Sequence, residues 1–137
     1  MLFTVFYIML VLLFKQVVLD FGTQKIYYLP NKNIYFGLHG IVHALIVSCP
    51  WPFLVGHFAH ICKIVIPNPR KLSFCCFLFE FLAHLHIDCA KRRIFKRNGF
   101  FRYSRGIRIV FHILDQFLHA ISLSICCFFI AISSSAR

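Results

Sequence analysis

Residues 79–93 read FEFLAHLHIDCAKRR. An apolar run carries Glu80, His84, His86 and Asp88, then breaks into Lys91, Arg92 and Arg93. A greasy segment that ends in a basic burst is the pattern of a helix leaving a bilayer on the side where Lys and Arg are retained. Ionisable side chains inside such a segment each cost a few kcal/mol, roughly 2.5–3.5, unless they turn inward and meet partners. The stretch therefore sets two expectations: a spanning helix, and a polar site that it shares with other helices.

The rest of the chain supports the first expectation. Of its 137 residues, 60% are hydrophobic, 18% aromatic and only 14% charged; the mean hydropathy is +0.78. A water-soluble domain of this size exposes too much surface to be so apolar, so the expected fold class is all-α, a polytopic integral membrane helix bundle forming a single transmembrane domain over residues 1–137. The 15 Lys and Arg against 4 Asp and Glu lie mainly in segments flanking apolar runs. Orientation in the membrane explains that placement, and membrane lipid rather than nucleic acid is the expected partner. The seven cysteines form no C-x-x-C pair and mostly lie in apolar runs, so they read as reduced, small hydrophobic residues. The start, MLFTVFYIMLVLLF, has no basic region and no small-residue cleavage site, and reads as a retained span.

Apolar runs extend from Leu2 to Asp20, from Ile34 to the prolines at 50 and 52, from Phe53 to Ile66, from Leu72 to Asp88 and from Ile107 to Ile132. A span needs ~20 residues, which makes the piece from Phe53 to Ile66 a short re-entrant or interfacial helix beside about four spans, with five spans as the alternative. Eight of the 15 basic residues fall between Lys91 and Arg108, marking that stretch as a cytoplasmic loop. With four spans, Lys25 and Lys32 join it inside, and Arg70 and Lys71 lie in the outer loop. Four spans also bring the polar residues of every run to one depth, whereas five scatter them.

The spacing of those polar residues points to a site. His39 and His43 are four apart, as are Glu80, His84 and Asp88; Asp115 and His119 repeat the interval, and so do Asp20 and Gln24. Four residues bring two side chains to one side of a helix, one turn apart. Each span thus presents one stripe of carboxylate, imidazole or amide. Facing inward, His39, His43, His84, Asp88, Asp115 and His119 are candidate ligands for a divalent metal, Zn, Mn or Fe by their donor types. They are more ligands than one tetrahedral ion needs, so either the site is dinuclear or some members support the ligands. Gln116, one residue off the stripe, is expected to bond a neighbouring helix. His57 and His60 read as interfacial at the opposite face, and His86 points off the stripe.

In order along the chain, Asp20–Gln24, His39–His43, His84–Asp88–Lys91 and Asp115–Gln116–His119 give DxxxQ, HxxxH, HxxxDxxK and DQxxH. This order resembles a family of small integral-membrane proteins of bacteria and their phages, catalogued as a domain of unknown function. That family is itself distantly similar to membrane-bound metal-dependent hydrolases. The resemblance covers about residues 15–122 and implies the cytoplasmic membrane of a bacterium, a phage-infected host included. The sequence departs from the family in FGT after Asp20 and in its Cys- and Phe-rich ends.

The leading functional expectation is a membrane-embedded metal-dependent hydrolase acting at the cytoplasmic leaflet on a lipid or another membrane-associated anionic substrate. Glu80 or Asp20 would serve as general base, and Lys91 and Arg92 would hold the anionic group. The alternative is a non-enzymatic membrane protein, handling metal or protons or engaging the envelope, whose polar stripes serve helix packing.

Overall fold

The computed structural model describes residues 2–26, 37–97 and 105–135. All the regular structure among them is helical: α1 (Leu2–Ile26), α2 (Leu38–Ser48), α3 (Trp51–Ile61), α4 (Pro69–Arg97) and α5 (Arg105–Ser135). Four stretches are long and apolar enough to cross a membrane: Phe3–Asp20, Gly40–Ile61, Pro69–Lys91 and Ile113–Ser133. A helix satisfies its own backbone donors and acceptors, the condition for lying in lipid. The outer surface fits the same medium, because Phe3, Phe6, Phe14, Phe53, Phe74, Phe117 and Phe128 all point away from the bundle. So broad an apolar surface on a soluble monomer would promote aggregation.

The second span differs from the sequence expectation. Residues 53–66 do not form a separate re-entrant helix after a complete span. Instead α3 supplies the second half of the span Gly40–Ile61. The 11 residues of α2 reach only about 16 Å at 1.5 Å per residue, too little for a ~30 Å hydrocarbon core. Adding α3 gives 22 residues. Pro50 and Pro52 each remove one backbone donor, yet Cys49 (φ −54°, ψ −30°) and Pro50 (φ −67°, ψ −10°) keep helical dihedrals. The chain is interrupted there without reversing. The span ends at a Schellman turn, with Lys63 left-handed at φ 51° and Ile64 N–H donating to Ala59 C=O at 3.1 Å.

Two further expectations shift. The basic loop at 91–108 is largely helical where described, with α4 continuing to Arg97 and α5 starting at Arg105; residues 98–104 lie outside the described residues. The first helix also runs past the apolar run that ends at Asp20, with Gly22 inside α1, which continues to Ile26. A methyl group added at Gly22 would meet nothing within 4 Å. Gly22→Ala is therefore expected to raise stability by about 0.5–1 kcal/mol, through the entropy that glycine loses in a helix. A thermal melt in detergent checks it, and an unchanged or lower midpoint would contradict a helical position 22.

Packing makes α4 the hub. It lies against α2, α3 and α5, while α1 contacts α2 and α5. The interior divides by polarity along the membrane normal. Ile8, Leu12, Trp51, Val55, Phe58, Leu72, Cys76, Leu123, Cys126 and Ile130 form one apolar end. Ala44, Leu85 and Cys89 form a smaller cluster at the end that holds the ionisable side chains. All seven cysteines are free, and Cys76, Cys89, Cys126 and Cys127 are buried, as expected of small apolar residues.

Candidate metal centre

Each span turns one ionisable stripe into the bundle. On α1 the buried positions Ile8, Leu12, Lys15, Gln16 and Asp20 recur every three to four residues, one face of a helix. On α4 the buried stripe is Glu80, His84 and Asp88, and on α5 it is Asp115 and His119, followed by Ser122 and Leu123. His43 reaches the same region from α2. The sequence specified these faces; the bundle determines which face meets which.

Four side chains converge. His43 Nε2 lies 3.1 Å from Asp20 Oδ1, 3.0 Å from His84 Nε2 and 3.7 Å from Asp88 Oδ2. His84 Nε2 lies 3.9 Å from both Asp20 Oδ1 and Asp88 Oδ2. Four donors around a tetrahedral ion with bonds near 2.1 Å are about 3.4 Å apart, and these separations bracket that value. Two imidazole nitrogens facing each other beside carboxylate oxygens require a proton or a cation between them, because all can accept. The residues therefore fit a divalent metal. Asp20–His43–His84 and His84–Asp88–His119 each bring their ligand atoms within 4.8 Å of one another, with His84 common to both sets.

Neighbouring groups hold this set in place. Gln116 donates from Nε2 to Asp20 Oδ2 at 3.0 Å, so the expected bond to another helix is made, and it is made to a candidate ligand. A polar group behind a ligand fixes its orientation and tunes its basicity. Lys91, on the last turn of the third span, donates to Asp115 Oδ2. His119 stacks on His84 with ring centroids 4.2 Å apart, and its Nε2 lies 3.8 Å from both Asp88 Oδ1 and Asp115 Oδ1.

Glu80 belongs to a second cluster deeper in the bundle. Both its oxygens accept from Lys15 Nζ at 2.5 Å, and Oε2 also accepts from Trp51 Nε1 at 2.5 Å. Its acceptors are thus engaged, unlike those of a base facing the histidines. Lys15 interrupts the first apolar run, Leu2 to Asp20. A lone Lys in the middle of a span is itself a signal of an inward-facing partner, and its place on the Ile8–Leu12–Asp20 face would have located it.

Of the remaining candidates, His86 is exposed and lies 2.7 Å from the Leu82 carbonyl through Nδ1, off the site as expected. His57 is 2.8 Å from the Tyr7 hydroxyl at the opposite end of the bundle. The side chains of His39, Arg92 and Gln24 lie outside those described. No protein-family model, curated protein or solved structure matches this chain. The fold and the donor set are thus the basis for a functional reading: a four-span helical membrane bundle with buried His and Asp groups that could hold a metal ion.

Proposed function

We propose that the protein is a divalent-metal-dependent hydrolase embedded in a bacterial cytoplasmic membrane, acting on a lipid or another membrane-associated anionic substrate. One observation carries the reading: His43, His84 and Asp88 converge with ligand atoms 3.0–3.9 Å apart, and Asp20 Oδ1 stands beside them. Two imidazoles and a carboxylate are a catalytic rather than a closed structural set, because they leave coordination positions for water and substrate. The donor types suit Zn, Mn or Fe.

A divalent cation on this set would polarise the bond to be cut and ease deprotonation of an attacking water. The chain's own residues supply the remainder. Gln116 holds Asp20 by Oδ2, which keeps Oδ1 against the imidazoles at the ion's locus. Lys91, pinned by Asp115 and with its side chain 22% exposed, is a fixed positive charge where the span meets the headgroups. The site lies within the last turn or two of each span at the end where the basic residues gather, the cytoplasmic side by charge bias.

The test is turnover by the purified protein in mixed micelles carrying phosphate-ester and carboxylic-ester lipids. Hydrolysis of one class is expected, abolished by a chelator, restored by Zn, Mn or Fe, and absent in His84→Ala. A folded, metal-loaded protein that leaves every ester intact overturns the reading. A second reading has its own support, because the Asp20–His43, Asp20–Gln116 and Lys91–Asp115 contacts each join different helices and so serve adhesion. On that reading His84→Ala lowers stability and the wild type carries no metal.

A further inference from the structure

We infer that a second divalent cation binds between Asp88, Asp115 and His119, and that it binds together with a phosphate-type dianion; the inference rests on the first cation site proposed above. Few buried side-chain polar atoms among the described residues lack a hydrogen-bond partner, and two of them are His119 Nε2 and Asp115 Oδ1. Both residues are almost wholly buried, at 1% and 3% exposure. The two atoms are 3.8 Å apart, too long for a hydrogen bond but a reasonable spacing for two ligands of one ion, which lie about 3.4 Å apart. Asp88 Oδ1 is also 3.8 Å from His119 Nε2, while its other oxygen faces His43 and His84. One carboxylate thus offers an oxygen to each locus.

Charge distinguishes the two loci. Asp20, Asp88 and Asp115 bring three negative charges and Lys91 one positive, and an imidazole that coordinates a metal adds none. The remainder, two negative charges, is balanced by one divalent cation. A second leaves an excess of two positive charges in a poorly solvated site, which is costly without a counter-charge. A phosphate-type dianion supplies that charge, so the second ion and the anion bind cooperatively.

The experiment titrates the full-length, detergent-solubilised chain with Mn²⁺, reading free and bound metal by electron paramagnetic resonance, with and without inorganic phosphate. Wild type is compared with Asp115→Asn and His119→Gln. The expected result is one Mn²⁺ per wild-type chain without phosphate and two with it. The pair gives a spin-coupled spectrum whose hyperfine spacing is half that of an isolated ion, and both variants keep the first ion and lose the second. A single Mn²⁺ under both conditions, as a bridging water at the second locus would give, overturns the inference and leaves the hydrolase reading intact. No bound Mn²⁺ overturns both. Should either variant unfold, the wild-type spectrum decides alone, because an uncoupled signal in phosphate is fatal. Repeating the titration with phosphatidic acid micelles identifies the anion. Second-ion uptake at lower anion concentration than with inorganic phosphate supports a lipid headgroup, and equal uptake supports free phosphate.

Discussion

Lys15→Met is expected to lower stability by about 3–5 kcal/mol, the cost of leaving a buried charge without its partner. The side chains of Lys15 and Glu80 are 6% and 2% exposed, and the pair lies inside candidate spans, where water cannot replace a missing donor. Glu80→Gln in the same chain should recover most of the loss, since the amide oxygen still accepts from Trp51 Nε1 while the stranded negative charge is gone. Trp51 is the only tryptophan in the chain, so its fluorescence during denaturant unfolding in detergent reports on this cluster. The double-mutant cycle separates pairing from packing. A single-variant cost below about 1 kcal/mol, in the range of a solvent-exposed pair, would show that the cluster is hydrated and not the pin between the first, second and third spans.

The second large effect concerns metal content. His84 belongs to both candidate ligand sets, so His84→Ala should abolish bound metal in the purified protein, while His86→Ala, two residues away on the exposed side, should leave it unchanged. Gln116→Ala should keep the ion but weaken its binding roughly 10–100-fold, the usual cost of removing a group that orients a ligand. Elemental mass spectrometry of wild type and variants, normalised to folded protein, measures all three. Near-stoichiometric Zn, Mn or Fe in the wild type and in His86→Ala, lost in His84→Ala, is the expected pattern. A well-folded wild type without metal would leave helix adhesion as the role of the polar stripes.

Much of this arrangement was legible in the sequence because a membrane simplifies the code. An ionisable side chain inside a span is costly unless it turns inward to a partner, so the four-residue intervals of His84–Asp88 and Asp115–His119 marked buried faces directly. Their common depth followed from the count of basic residues in the flanking segments. What spacing alone could not give was partnership across helices. Glu80 lies on the same stripe as His84 and was grouped with it, yet one turn of depth is enough to give it to Lys15 and Trp51 instead. The prolines at 50 and 52 misled for a related reason. They do separate α2 from α3, but the dihedrals at Cys49 and Pro50 stay helical, so α3 completes the span that the 11 residues of α2 are too short to make.

The distribution of the polar residues over all four spans also bears on how the protein enters the membrane. A span is inserted on the balance of its own residues, with an Asp or Lys near the centre opposing by about 2.5–3.5 kcal/mol and each Leu, Ile, Phe or Val favouring by about 0.3–0.6. Gathered on one helix, Asp20, His43, His84, Asp88, Asp115 and His119 would make that helix too polar to partition. Divided among the spans, they leave each one apolar enough to insert, with mean hydropathies of 1.4 to 1.9. The lowest value belongs to Pro69–Lys91, the span that carries Glu80, His84 and Asp88. That span is the one whose insertion should depend most on neighbours already in place, so the site is completed last, as a product of assembly rather than of any single helix.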